Sequence, residues 1–517
     1  MLTGDMLRRS AARFPDKTAV IWGESRLRYR DFDTAANRLA HALLDLGLAK
    51  GAKVAILSRN RTEYAIAFFG SARAGTVLVN VSVLYAPAEL AYVLDKADAE
   101  VLIFEDLFAE KVAEVRDALP GIRHYVVLGD SRSGRLAGGA RSFDDLLKGR
   151  PGDEPKIAID ERDPFCMTYT GGTTGRPKGV LVSHRARAVT AHTVVVEERL
   201  ESRDVVAIVT PMFHVAALNI MFQPAILVGA TVSLLAKWDV ADFRRLVARD
   251  RVTAAFMVPT QATMLVQAAE FDAAELASWR KLSFAGAPMP DWVQRALMEK
   301  LPGLRLTQIY GQSEMGVIAA LPHWRLPEKL GSVGRMPFNA DIACVDPDGR
   351  PVPPGEIGEL VSRGDNLMIE YYGEPEQTAA FFRHGDGWGW SGDLGTIDAD
   401  GFVTLIDRSK EMIISGGENI YPKEIENALY EHPSVAECAV FGIPDDHFGE
   451  VPAAHVALKS GAGTSVGELE AHCTSRLARF KRPRLIVFVE TFPKTAIGKI
   501  QKTVIRDAYW QGRDREI

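Results

Sequence analysis

The sequence predicts an α/β protein: a large N-terminal domain of two parallel-type sheets plus a small β-barrel subdomain, then a small α+β C-terminal domain. Three observations lead there. Across residues 1–110, and again after residue 200, short apolar runs alternate with helically spaced ones, the grammar of βαβ units. From about Gly331, β runs are separated by Pro/Gly turns such as Asp346-Pro347-Asp348-Gly349. Near Arg408 the composition shifts again, and the remainder has the size of a separate domain, roughly a hundred residues. A chain of 517 residues is too long for one ordinary core, and the boundary is expected between residues 1–408 and 409–517.

In order, Asp31 to Leu46 reads as a helix, Lys53 to Leu57 as a strand, and Thr62 to Ala74 as a helix ended by Gly75. Thr76–Val79 is a strand, Pro87 opens a helix, and Glu100–Phe104 is a strand. Residues 128–160, rich in Gly, Ser, Arg and Pro, read as a long surface excursion. Cys166–Thr170 and Gly179–Val182 are strands flanking a polar loop. Beyond it come strands at Val205–Val209, Thr231–Leu235, Thr253–Val258 and Leu282–Phe284. Helices at His214–Val228, from Asp239 to about Asp250, and at Thr260–Glu270 connect them. Ala74-Gly75-Thr76-Val77-Leu78 is echoed by Gly229-Ala230-Thr231-Val232-Ser233, a hint of two related sheets. Later, Asp341–Val345 and Glu356–Ser362 are short β runs, and Pro422 starts a helix. Strands at Val435–Phe441 and Val451–Leu458 and a helix at Gly467–Leu477 complete the chain.

A net charge of −6 gives no general attraction to nucleic acid or anionic lipid. Cys166, Cys344, Cys438 and Cys473 are scattered without metal-ligand spacing and read as reduced thiols. Met1 to Val20 holds no apolar signal core. Met212 to Ala236 lacks Lys, Arg, Asp and Glu, but Asn219, Gln223, Pro224 and Gly229 interrupt it. It reads as a buried helix and central strand rather than a membrane span, and a cytoplasmic protein is expected.

The polar loop is Tyr169-Thr170-Gly171-Gly172-Thr173-Thr174-Gly175-Arg176-Pro177-Lys178-Gly179. Glycines let successive N–H groups turn toward one point, and threonine hydroxyls and a lysine add donors, a chemistry suited to polyphosphate. It lacks the usual P-loop spacing, because Arg176-Pro177 follows Gly175. It resembles instead the phosphate loop of the adenylate-forming superfamily, which spans acyl-CoA synthetases, aryl-CoA ligases, peptide-synthetase adenylation domains and luciferases; the chain as a whole resembles the acyl-CoA synthetase and aryl-CoA ligase branch. The resemblance implies ATP binding by Thr170, Gly171, Gly172, Thr173, Thr174, Gly175 and Lys178, and by Gly286, Ala287 and Pro288 after a later strand.

Four further stretches carry the resemblance. Tyr310-Gly311-Gln312-Ser313-Glu314 follows a β run, at a strand's carboxyl end where open sheets bind ligands. A flat ring suits a base, a hydroxyl suits a phosphate, and a carboxylate suits Mg²⁺. The matching family element has threonine where Ser313 stands, and it implies that Tyr310 and Gly311 bind nucleotide while Ser313 and Glu314 are catalytic, Glu314 as metal ligand. Trp390-Ser391-Gly392-Asp393 resembles the element whose aspartate, here Asp393, takes the ribose hydroxyls, with Trp390-Ser391 replacing the usual Arg-Thr. Asp407-Arg408-Ser409-Lys410 through Gly416-Gly417 resembles the interdomain hinge: Arg408 toward the ribose, Lys410 as pivot, Gly416 and Gly417 along the pantetheine path. Pro493-Lys494-Thr495-Ala496-Ile497-Gly498-Lys499 resembles the C-terminal catalytic loop, and Lys499 is the implied activator of the carboxylate. Two anions must meet, and a lysine between them offsets their repulsion.

Phe213-His214 resembles the aromatic-His pair at the edge of the acid pocket, where Met315 is also placed, and the resemblance implies a catalytic role for His214 as well; otherwise a histidine here would be an ordinary core residue. Phe480 and Arg482, in a basic turn, are assigned to CoA on position, against the alternative of a solvated turn. The implied reaction converts a carboxylic acid, ATP and CoA to acyl-CoA, AMP and pyrophosphate through an acyl-adenylate. ATP, Mg²⁺ and CoA are the expected small-molecule partners, with a homodimer allowed. The candidate pocket positions Phe213, His214, Asn219, Gly286, Gly311, Met315 and Val317 carry no fixed charge, which favours an aryl or medium-to-long alkyl tail over a dicarboxylate. A stand-alone enzyme charging a carrier protein is the main rival. Phe213 to Leu218 offers no anion to pair with an α-ammonium, no carrier domain is evident, and a luciferase-like oxygenase would still form the adenylate first. A non-catalytic nucleotide binder is disfavoured because Lys178, Glu314, Asp393 and Lys499 are all present.

Overall fold

The computed structural model describes residues 1–129, 139–170, 177–269, 271–287, 289–408, 411–416, 418–459, 461–494 and 500–511. They gather into two compact units, Met1–Ile342 with Ser362–Gly389, and Ala343–Val361 with Trp390–Ile517.

The first unit is built on two eight-stranded sheets. One runs, edge to edge, through Glu370–Tyr371, Lys178–Ser183, Pro164–Thr170, Val77–Asn80, Lys53–Leu57, Ala99–Glu105, His124–Leu128 and Arg141–Ser142. The other runs through Gly316–Leu321, Arg305–Gln312, Lys281–Phe284, Ala254–Met257, Val205–Ile208, Thr231–Leu234, Thr18–Trp22 and Ser25–Arg28. Both are parallel through their centres; the second turns antiparallel at both margins and the first only toward Glu370–Tyr371, so they are mixed rather than purely parallel. The excursion expected over 128–160 contains a short edge strand and the helix Phe143–Leu147, which Ser142 caps through its hydroxyl.

The helix Thr62–Ala74 is buried on every face from Tyr64 onward, as expected of a helix apolar all round. Phe68 meets Phe165 of the first sheet and Phe222 beside the second edge-to-face, with centroids 5.0 and 5.6 Å away. The helix therefore forms part of the seam between the sheets. The echoed sequences fall at matching points: Gly75 and Gly229 each end a helix at positive φ, one before Val77–Asn80 and the other before Thr231–Leu234.

The helix expected over His214–Val228 is not regular. Ala217–Phe222 winds as a π-helix, the N–H of Gln223 reaching back to Leu218, before Gln223–Val228 resumes the α form. Pro224 has no N–H for the ordinary bond to Ile220, which relaxes the demand for a tight turn there.

In the second unit, the expected barrel is corrected to a sheet of four strands: Asp341–Val345, Gly358–Arg363, Gly389–Ile397 and Val403–Arg408. Four short strands are too few to close around a filled interior. A separate five-stranded sheet centres on Val435–Asp445 and Gly449–Leu458, with the helices Pro422–Tyr430 and Val466–Thr474 supplying its core. Among the described residues no helix is long and apolar enough to cross a membrane.

His184 opens the helix that follows the loop-bearing strands. It is fully buried, stacks on Phe165 with 4.8 Å between centroids, and accepts the Thr3 N–H at Nδ1. Burial pushes its pKa from 6.5 down to about 4, so it folds neutral. The unfolded chain takes up a proton near pH 6.5 that the folded chain refuses until near 4, so this histidine costs stability as pH falls through that window. His184→Gln should flatten the fall in stability between pH 7 and 5 by up to about 1.4 kcal/mol per pH unit. Urea unfolding at several pH values would check it, and parallel slopes in the two proteins would contradict it.

Candidate active site

The loop-bearing strands pair antiparallel with Thr170 opposite Lys178, so the register closes the segment between them. Gly171, Gly172, Thr173, Thr174 and Gly175 lie outside the described residues. The next strand adds Tyr371 opposite Val180. Paired residues share a face and Lys178 is two residues from Val180, so Tyr371 and Lys178 are diagonal neighbours. The Lys178 ammonium lies 5.2 Å from the centre of the Tyr371 ring. On its other side the Tyr371 hydroxyl donates to Glu314 Oε1 at 2.8 Å.

Ser313, Glu314 and Met315 form a tight turn between the antiparallel strands Arg305–Gln312 and Gly316–Leu321. Gly316 closes the turn at φ 62, where a side chain would strike Thr190. The Glu314 carbonyl accepts the Met368 N–H at 2.7 Å, and the Met315 carbonyl accepts from Asn366 at 2.5 Å. Met315 is fully buried. A Cβ at Gly311 would sit 1.9 Å from the Gly316 carbonyl oxygen, so glycine is required for the two strands to meet there.

In the second sheet, Val205–Ile208, Ala254–Met257, Lys281–Phe284 and Arg305–Gln312 are parallel neighbours. Their carboxyl ends bring Phe213-His214, Gly286-Ala287 and Tyr310 to one edge. Phe284 pairs with Gln308, which sets Gly286 level with Tyr310. Chain order reverses between Val205–Ile208 and Ala254–Met257, the kind of crevice open α/β sheets use for ligands. Gly286 has φ 87, and it and Ala287 are exposed, whereas Tyr310 is buried; Pro288 lies outside the described residues.

Asn60 holds the segment leading to His214. Its amide nitrogen donates to the carbonyls of Thr210 and Leu235 at 2.9 and 3.0 Å, and its oxygen accepts the Met212 N–H at 2.7 Å. The residue carries no motif; its role depends on backbone groups far along the chain. Phe213 is buried, and half-buried His214 accepts the Ala216 N–H at Nδ1, which puts its proton on Nε2. Desolvation holds its pKa at about 4, so the imidazole is neutral at pH 7.

In the second unit, Asp393 and Arg408 are paired across neighbouring strands, with Arg408 Nε 2.6 Å from Asp393 Oδ1. Just beyond, burial pushes the Asp407 carboxyl up to about 6, while its oxygens accept the N–H groups of Arg408 and Lys423. Lys502 is ion-paired with Glu426 at 2.7 Å and Glu411 at 3.1 Å. Lys410, Gly417 and Lys499 lie outside the described residues. Gly416, at φ 58, donates to the Phe448 carbonyl. Arg482 is engaged by the carbonyls of Leu477 and Thr474 at a helix end, and Phe480 is exposed beside Lys481.

Among the described residues no group of three or more His, Cys, Asp or Glu could hold a metal by itself. The Glu314 carboxylate is a hard oxygen donor of the type Mg²⁺ takes together with substrate phosphates, so the site fits that ion.

Residues 7–372 match the model of the AMP-binding enzyme family, and residues 424–499 match that of the AMP-binding enzyme C-terminal domain. The chain is 37% identical over 499 residues to a feruloyl-CoA synthase of Amycolatopsis sp, covering 96% of this chain and 97% of that one. It is 34% identical over 515 residues to a long-chain-fatty-acid–CoA ligase of Mycobacterium tuberculosis, covering 98% of each. The crystal structure of an anthranilate CoA ligase in complex with anthranoyl-AMP superimposes with a TM-score of 0.90 at 28% identity, over 98% of this chain and 97% of that one.

Gly311→Ala should destabilise the fold by roughly 3 kcal/mol or more, because the backbone carbonyl it would strike cannot swing away. Gly303→Ala, with open space around its Cβ position, serves as control. Thermal unfolding should show a lowered midpoint for the first variant only.

Proposed function

The chain belongs to the AMP-binding enzyme family, and from that premise we propose how its residues divide the work of an AMP-forming acyl-CoA ligase. Such a ligase joins an acid to CoA in two halves. The carboxylate first attacks the α-phosphorus of ATP, expelling pyrophosphate and leaving an acyl-adenylate. The thiol of CoA then attacks the acyl carbon, loses its proton, and AMP departs.

The observation that carries the assignment of residues is the gathering of Lys178 and Glu314 around Tyr371, next to a loop whose ends are held by the Thr170–Lys178 pairing. Thr170, Lys178 and the loop glycines and threonines take the phosphates, and Ser313 adds a hydroxyl. Glu314 would hold Mg²⁺, whose charge supports the polyphosphate as leaving group. Gly286, Ala287, Pro288, Tyr310 and Gly311 take the adenosine end, and Asp393 and Arg408 the ribose. Lys499 is assigned to offset the repulsion between the reacting anions. For the second half, residues 409–517 turn about Lys410 and bring Gly416 and Gly417 to the thiol arm, with Phe480 and Arg482 toward the nucleotide end of CoA.

Neutral His214 beside Phe213 supports an acid with an uncharged tail, aryl or fatty, since it offers an N–H but no cation to a second carboxylate. Four buried free thiols are consistent with a reducing compartment, and we place the protein in the cytoplasm.

The test is thioester and AMP production with MgATP over fatty acids of several lengths, benzoates, cinnamates and dicarboxylates, with and without CoA. Thioester that requires CoA and forms with one class of uncharged tail is expected. Pyrophosphate release without thioester would redirect the second half to a carrier protein. For the catalytic lysine, Lys499→Ala should slow adenylate formation roughly a hundredfold or more. Thioester formation from synthetic acyl-AMP should stay within about threefold, and equal losses in both halves would remove the role.

A further inference from the structure

Tyr371 belongs to none of the motifs that drew attention to the site, yet both candidate phosphate-side charges contact it. Its hydroxyl is 2.8 Å from Glu314 Oε1, and its ring lies 5.2 Å from the Lys178 ammonium. The three residues come from different parts of the chain: a tight turn of the second sheet, the strand leaving the phosphate loop, and an edge strand of the first sheet.

The backbone around Tyr371 is fixed on both sides. Ile369 and Tyr372 donate to the carbonyls of Leu181 and Gly179 at 2.8 Å, forming the edge ladder. Met368 donates to the carbonyl of Glu314 itself, and the Tyr371 N–H is taken by Thr378 Oγ1 at 3.0 Å. Phe381 meets the ring edge-to-face at 6.2 Å. A tyrosine held this way has few rotamers left, and neither does a carboxylate hydrogen-bonded to it.

The neighbouring residue supplies the contrast. Side chains alternate along a strand, so Tyr372 faces the other way, where its hydroxyl meets Asp98 Oδ2 at 2.7 Å and Lys53 lies 4.6 Å from its ring. Each tyrosine thus bridges a lysine and a carboxylate, but only Tyr371 bridges the pair assigned to nucleotide and metal.

We propose that Tyr371 is a positioning residue for adenylation, holding Glu314 by its hydroxyl and Lys178 by its ring so that the metal ligand and the phosphate cation keep a fixed spacing. This rests on the reading of Lys178 and Glu314 given above. A phenol on one carboxylate oxygen leaves the other for a cation and favours the single-oxygen ligation that suits octahedral Mg²⁺. The ring face attracts the ammonium through its quadrupole and brings no negative charge of its own to the lysine. An ion pair drawn directly between Lys178 and Glu314 would leave less charge for both ligands. A neutral aromatic spacer prevents that collapse.

The experiment is binding of Mn²⁺, as a spectroscopic stand-in for Mg²⁺, to the full-length protein in the presence of a non-hydrolysable ATP analogue, followed by electron paramagnetic resonance. Metal-free affinity for the same analogue and the Mg²⁺ dependence of adenylation are measured alongside. Tyr371→Phe keeps the ring and loses the hydroxyl, and it should weaken Mn²⁺ binding roughly tenfold, the worth of a hydrogen bond to a charged group. Metal-free nucleotide affinity should be nearly unchanged, and the loss in adenylation should be largely restored by higher Mg²⁺. Tyr371→Leu should also weaken metal-free nucleotide binding, by roughly two- to fivefold, through Lys178. Tyr372→Phe, on the opposite face, should match the parent protein in every readout. Thermal unfolding establishes that the variants are folded.

The proposal is overturned if Tyr371→Phe binds Mn²⁺ like the parent protein while Glu314→Gln does not. It is overturned equally if Tyr372→Phe shows the same loss, since general weakening of the edge strand would then be the cause. If Glu314→Gln itself leaves Mn²⁺ binding unchanged, the assignment of Glu314 fails and takes the proposal with it.

Discussion

The register that sets Thr170 opposite Lys178 is the constraint on which the candidate site depends. It closes the polar loop at its base, fixes where the lysine emerges, and presents the free edge on which Glu370–Tyr371 is laid. A shift by one residue would send Lys178 to the other face of the sheet, away from Tyr371 and Glu314. Strand pairing here acts directly on the electrostatics, since it sets where Lys178 stands against Tyr371 and, through the tyrosine hydroxyl, Glu314.

The second constraint is the meeting of two sheets at their carboxyl ends. The buried aromatic rings of Phe68, Phe165 and Phe222 hold the sheets together, and Asn60 joins their strand ends through backbone hydrogen bonds. In the proposed assignment the acid side receives a neutral histidine and a buried phenylalanine, while the phosphate side receives lysine, tyrosine and glutamate. This division suits a reaction in which an uncharged tail is enclosed and a charged head reacts.

Much of this architecture is legible in the amino-acid order, and its punctuation most clearly. Gly75 and Gly229 mark helix ends because both adopt positive φ, Pro87 and Pro422 mark helix starts, and Asp239 caps its helix by accepting the Asp242 N–H. What is not legible depends on distant partners. The strand Thr18–Trp22 is recognisable only once Val20 pairs with Val232, and the two-residue strand Glu370–Tyr371 only once Val180 lies beside it. The π-helical turn after His214 depends on how a proline is accommodated in a buried segment, which periodicity does not encode. Short Pro/Gly-spaced β runs fit a barrel and a sheet equally well, and strand number decides for the sheet. Among candidate site residues, those in contiguous motifs are readable, whereas Asn60 and Tyr371 act through backbone and side-chain partners remote in sequence.

The proposed order of events has the acid activated on ATP before the thiol takes part. Acid-dependent exchange of labelled pyrophosphate into ATP, measured with no CoA present, tests it most directly. Exchange should require the acid and Mg²⁺ and proceed without CoA. Thioester formation accompanied by no such exchange, or exchange that appears only when CoA is added, would contradict it.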